Sequence, residues 1–118
     1  MKKMTKNTNS RAVGDKLEKY VTSSLNAIDH IDQDKFKQTP GSGSVFSDGD
    51  ITNPYWVIEC KVRNTQKSFG APGSDIKRLR DLANMHGREW AYIVQNSEGK
   101  RVAVIDFELF VELLTSTS

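Results

Sequence analysis

Val13, Leu17, Tyr20, Val21 and Ile28, with Ser24 in the same stripe, recur three or four residues apart. That period predicts an amphipathic helix from about residue 11 to 30. A short strand follows around Lys35 to Gln38, then the turn-forming run TPGSGS, which reads as a loop. Strands near Val45 to Ile51 and Trp56 to Arg63 form a hairpin about Asn53-Pro54. After the loop NTQKSFGAPGS, Ser74 caps a helix with the apolar face Ile76, Leu79, Ala83 and His86, stopped by Gly87. Trp90 to Gln95 and Arg101 to Ile105 are strands about a turn at Asn96 to Gly99, and Asp106 caps a last helix, Phe107 to Leu114. The order of elements predicts an α/β fold, a mixed central sheet of about five strands flanked by helices.

One strand breaks the expected pattern. Alternate residues share a face, so Trp56, Ile58, Cys60 and Val62 point one way and Val57, Glu59, Lys61 and Arg63 the other. Charges in the middle of an apolar strand are costly unless they are paired, so Glu59 and Lys61 call for partners. The same Glu-x-Lys spacing at Glu98 to Lys100 lies in a turn, so spacing alone carries little. Asp50, on the preceding strand, supplies the context. A hairpin can bring it back toward Glu59, and two carboxylates beside an ammonium can hold a hard divalent cation and handle a phosphate. With Asn53 and Pro54 as the two turn residues, Asp48 falls opposite Glu59 and Asp50 one step along the same face, so both aspartates are candidates. At about 100° per residue, Glu18 lies at the margin of the first helix's apolar stripe and can reach over the sheet.

Composition narrows the class. The chain has 118 residues, 36% hydrophobic and 27% charged, which suits one globular domain at 11–115 behind a basic flexible tail at 1–10. No apolar run nears the roughly 20 residues of a membrane helix, and MKKMTKNTNS lacks the apolar core of a signal peptide. A soluble cytoplasmic protein is the expectation. Cys60 is the only cysteine, and His30 and His86 stand apart, which argues against disulfides and structural zinc. The net charge of +2 hides segregation: Lys2, Lys3, Lys6 and Arg11 open the chain without an acid, and residues 61–80 set Lys61, Arg63, Lys67, Lys77, Arg78 and Arg80 against Asp75 alone. Such a face suits a polyanion, nucleic acid first.

Taken in order, Arg11-Ala12-Val13-Gly14 with Glu18, Gly41-Ser42-Gly43-Ser44, Gly49-Asp50-Ile51 and Ile58-Glu59-Cys60-Lys61-Val62 resemble the successive motifs of the archaeal-type Holliday junction resolvases of the PD-(D/E)xK nuclease superfamily. The resemblance runs from about Arg11 to Ile105 and implies a restriction-endonuclease-like core. It implies Mg²⁺-dependent cleavage of four-way DNA junctions by a homodimer, with Mn²⁺ able to substitute and with 5′-phosphate and 3′-hydroxyl products. Glu18, Asp50, Glu59 and the Cys60 carbonyl become the implied metal ligands, Lys61 the catalytic lysine, and Ser42 or Ser44 a functional serine. Arg11, Arg63, Lys67, Lys77, Arg78 and Arg80 would hold backbone phosphates without reading bases. Two departures stand out: Gly49 occupies the position of the superfamily's Pro, and the Asp50 to Glu59 interval is short. Gly-Asp-Ile matches the motif, which favours Asp50 over Asp48.

The remaining residues have plainer readings. Cys60 is a small core residue, Trp56, Trp90 and Phe107 are core, and His86 belongs to a packing face. Tyr55 and Phe69 sit in loops, where either can stack on an unpaired base. The last helix carries more apolar surface than one core-facing stripe needs, which makes it the candidate dimer face. Three functions stay open: a junction resolvase, a less selective metal-dependent DNA nuclease, and a DNA-binding protein whose site does not turn over.

Overall fold

The computed structural model describes residues 2–28, 34–39 and 50–116, with side chains described from residue 12 onward. Its elements are α1 (Lys2–Asn26), β1 (Lys37–Gln38), β2 (Ile51–Thr52), β3 (Trp56–Val62), α2 (Gly73–Met85), β4 (Glu89–Gln95), β5 (Arg101–Val104) and α3 (Phe107–Ser116). Among the described residues the strands form one mixed sheet in the order β1-β2-β3-β4-β5. Only β3 and β4 pair in parallel, joined by the crossover helix α2, and the other neighbours are antiparallel. This is an α/β architecture, and no helix among the described residues is long and apolar enough to cross a membrane.

β3 is the spine because both of its faces are covered. Ile58 and Cys60 pack with Leu17 and Val21 of α1, with Phe36 and with Ile51, while Val57 packs with Leu79 and Ala83 of α2 and with Trp90, Tyr92 and Val94 of β4. Each large side chain so buried is worth roughly 1.5–3 kcal/mol over exposure. That sum is large enough for the strand to carry Glu59 and Lys61 on its α2 face.

Several boundaries differ from expectation for identifiable reasons. Neither Gly nor Pro precedes Gly14, so the helix expected from about residue 11 begins at Lys2, and the segment expected as a tail is helical. It ends at Asn26, whose side chain exchanges two hydrogen bonds with Phe36, Nδ2 to the carbonyl at 3.0 Å and Oδ1 from the N–H at 2.8 Å, leaving Ile28 exposed beyond the helix. α2 starts one residue before Ser74, with Pro72 at the N-cap and its carbonyl accepting from the Ile76 N–H. His86 is not on the packing face. It is the exposed C-cap, because the helix stops in a Schellman turn: Arg88 N–H bonds to the Ala83 carbonyl and Gly87 N–H to that of Asn84, with Gly87 at φ 64°. Phe107 is 68% exposed and not core, since only Leu109 of α3 is buried.

The β2–β3 turn also differs. Asn53 N–H donates to the Trp56 carbonyl at 3.2 Å, so the two turn residues are Pro54 and Tyr55, one position later than expected. Asn53 is 7% exposed and accounts for this: its Oδ1 accepts from the N–H groups of Tyr55 (2.9 Å) and Trp56 (2.8 Å), while Nδ2 donates to the Asp34 carbonyl at 2.9 Å. The ladder then pairs Ile51 with Ile58 and Thr52 with Val57. Asp48 and the rest of the expected strand before Asp50 lie outside the described residues.

Asn53→Ala removes the partner of the Asp34 carbonyl and of two turn N–H groups at once. It should cost about 2–3 kcal/mol in urea unfolding. A loss below about 0.5 kcal/mol would contradict this account of the turn.

Candidate active site

The register set by the turn brings Asp50 to Glu59. Asp50 N–H donates to the Ile58 carbonyl at 3.1 Å, and its Oδ2 accepts the Cys60 N–H at 2.8 Å, so its backbone and carboxylate bracket Glu59 from the neighbouring strand. On the other side of Asp50, its carbonyl accepts the Thr39 N–H at 2.9 Å, which ties in the end of β1. Lys61 Nζ lies 3.8 Å from Glu59 Oε2. Asp50, Glu59 and Lys61 therefore form one constellation.

Burial raises the proton affinity of both carboxylates. Asp50 is pushed above the usual range chiefly by desolvation, against the Cys60 N–H, Lys61 and Arg78. Glu59 is raised first by desolvation, opposed most by Arg78, and raised further by Asp50. Two partly dehydrated carboxylates that disfavour each other's charge are matched to a shared cation. In this structure Glu59 is met by Arg78 of α2, whose Nη2 sits 2.8 Å from Glu59 Oε2 and 4.0 Å from Asp75 Oδ1.

Glu18 approaches from another element, α1. It sits half-buried on α1, and its Oε1 accepts from Gln38 Nε2 at 3.3 Å. Among the described residues, no three His, Cys, Asp or Glu side chains gather at metal-holding spacing. The Cys60 thiol faces the α1-side core, and burial, followed by the charges of Asp50, Glu18 and Glu59, raises its proton affinity far above that of an ordinary thiol. That environment suits a packing residue and not a nucleophile. Ser42, Ser44 and the side chain of Arg11 lie outside the described residues.

The expected phosphate-binding residues divide. Arg63 turns inward, donating to the Gly70 carbonyl through Nε and Nη2 at 3.2 and 3.0 Å and to the Tyr92 hydroxyl at 3.2 Å. It holds the loop after β3 and offers little to a ligand. Lys77 pairs with Asp81 at 2.7 Å, and Arg80 lies 3.8 Å from Asp106 and over the Trp90 ring. These three pairings leave Lys67 as the exposed cation of the loop, its carbonyl accepting from Asn96 Nδ2. Of the two loop aromatics, Tyr55 is exposed and Phe69 packs against the α2-side core.

Sequence reasoning missed Tyr92 and Asp75. The buried Tyr92 hydroxyl donates to Asp75 Oδ2 at 2.9 Å while accepting from Arg63, and burial with this bond raises its proton affinity. A chain of polar contacts thus runs from the loop through Arg63, Tyr92 and Asp75 to Arg78 and Glu59. Its one visible signal was Asp75, the single acid among the bases of residues 61–80. Comparison with known proteins finds no match, whether by family model, among curated proteins or among solved structures.

A group whose proton affinity rises on folding stabilises the folded state only at low pH, and its contribution is lost as pH rises through its folded value. Asp50→Asn should therefore raise the urea midpoint at pH 7 in the presence of chelator. The gain should vanish below the ordinary aspartate value of 3.8, where both states are protonated. A gain independent of pH would show that burial of the charge is not its source.

Proposed function

We propose that the protein is a divalent-cation-dependent DNA endonuclease that resolves four-way junctions, built on a restriction-endonuclease-like core. The observation that carries this reading is the constellation of Asp50, Glu59 and Lys61 at the β2–β3 edge of a mixed sheet. The donor set fits Mg²⁺, because the two carboxylates offer hard oxygen ligands whose partial dehydration is relieved by a cation. Mg²⁺ or Mn²⁺, when bound, supplies activation of water and stabilisation of charge at the scissile phosphate.

The chain's own residues account for the rest. Asp50 and Glu59 hold the cation, with the Cys60 carbonyl and Glu18 as further candidate ligands. The bond from the Cys60 N–H keeps Asp50 in place. Lys61 orients the attacking water or neutralises the phosphate. Arg78, already beside Glu59, is placed to move onto a phosphate oxygen once a cation takes that carboxylate, with Asp75 keeping it near. Lys67 holds a backbone phosphate without reading bases, joined by Lys77 and Arg80 where a phosphate displaces their Asp81 and Asp106 partners.

A DNA-binding protein with an inactive site is the second reading. It is favoured by the Arg78–Glu59 pair and by the lack, among the described residues, of a third side chain at metal-holding spacing. Cleavage of a four-way junction, a matched duplex and a single strand, in Mg²⁺ and in chelator, separates the readings. The resolvase cuts the junction in Mg²⁺ alone, and Asp50→Asn or Glu59→Gln lowers the rate by at least about 10³-fold while junction binding in Ca²⁺ persists. Equal cutting of all three substrates would leave a less selective nuclease. No cutting by the unmodified protein would leave the binding protein.

Paired incision of a junction calls for two copies on a twofold axis. α3 supports this as the contact face, because Phe110, Val111, Leu113 and Leu114 are all 44–57% exposed on one short helix. Sedimentation at micromolar concentration should give twice the chain mass of 13.3 kDa. Phe110→Asp should yield a folded monomer. A monomeric unmodified protein that still makes both cuts in concert would overturn the dimer.

A further inference from the structure

We propose that the groove between β1, the β2–β3 turn and the end of α2 is a second phosphate-backbone site, taking the nucleic-acid strand that runs on from the scissile phosphate. The inference rests on the DNA-binding reading of the Asp50–Glu59 site. The groove has a volume of about 500 Å³ and is lined by Lys35, Lys37, His86 and Arg88, with Asp34 the one acid among its lining residues. That volume accommodates a sugar-phosphate unit, and the charge excess has the sign such a unit requires.

The groove cations lack the carboxylate partners that many surface cations have. Lys19, Lys77, Arg78, Arg80 and Lys100 each lie within 4.0 Å of a carboxylate. Lys35, Lys37 and Arg88 have no such partner among the described residues, which is equally true of Lys16, Lys67 and Arg101, but the first three line the same groove. An ordinary solvated surface mixes its charges, whereas here unpaired cations gather in one concavity.

Position adds a second argument. Lys37 pairs with Thr52, and Thr52 with Val57, so Lys37 shares the sheet face that carries Glu59 and Lys61. Its backbone lies one strand over from Asp50 and two residues along, roughly 8 Å away by standard strand spacings. Lys35 continues the row away from the carboxylates. A strand with one phosphate at Asp50 and Glu59 therefore meets Lys37 next and Lys35 after it, with Arg88 in the same groove.

The test is anisotropy of a labelled four-way junction with the full-length protein in Ca²⁺, repeated over a salt series. Lys35→Ala/Lys37→Ala/Arg88→Ala should weaken binding about tenfold or more and reduce the salt slope by about 2–3, near 0.9 for each lost duplex phosphate contact. The control Lys16→Ala/Lys19→Ala/Lys100→Ala removes the same charge elsewhere and should change the slope by less than about 1. Lys35→Arg/Lys37→Arg should bind as the unmodified protein does, which separates charge from fold. Equal effects of the groove and control variants would overturn the proposal. Failure of the unmodified protein to bind DNA would overturn both it and the reading it rests on. The slope difference without any cutting in Mg²⁺ would uphold the groove and remove only the nuclease.

Discussion

Asn53 closes the turn before β3 with three side-chain hydrogen bonds, and the edge of the sheet takes its register from that closure. Side chains alternate along a strand, so a one-residue slip here would exchange the two faces, and a two-residue slip would move a different aspartate toward Glu59. The amide does what neither Pro54 nor Tyr55 can do. It satisfies two turn N–H groups while its Nδ2 reaches across to the Asp34 carbonyl, which joins β1 to the same corner. The position of Asp50, the face occupied by Glu59 and the placement of Lys37 all descend from this one buried side chain.

The fold supports at that corner an arrangement it would not choose for stability alone. Asp50 and Glu59 are partly dehydrated, Asp50 raises the proton affinity of Glu59, and the cation bonded to Glu59 in this structure is an arginine from α2. Arg78 lies near two carboxylates and is bonded closely to one, while Asp75 is itself held by Tyr92, and Tyr92 by Arg63. The loop after β3 is thereby linked to the carboxylate pair through side chains alone. A network of this kind keeps charged groups aimed at one place, which is what a site for a cation and a phosphate requires.

Much of the fold was legible in the sequence. The period-two pattern of residues 56–63 placed the right residues on each face of β3, and Leu79, Ala83 and the glycine stop identified α2. Lengths were less legible. Nothing in residues 2–13 breaks a helix, yet their polarity hid it, and the apolar spacing extended α1 past the Asn26–Phe36 contact that ends it. The Glu-x-Lys pair and Asp50 were found from chemistry and from motif order. The turn was misplaced by one residue because Asn-Pro is a strong local signal, whereas the deciding bonds of Asn53 include one to a distant carbonyl. Arg63 could not be told from its basic neighbours, since only tertiary contact turns it inward. Lys35, Lys37 and Arg88 were invisible as a group, because three separate segments bring them together.

Anomalous diffraction from Mn²⁺-soaked crystals of the DNA-free protein tests the central claim most directly. The account predicts a peak within coordination distance of both Asp50 and Glu59, with the Arg78 guanidinium displaced from Glu59 Oε2 and β3 unchanged in register. A fully loaded crystal with no peak at that pair, or with the metal held by Asp48 in place of Asp50, would contradict it.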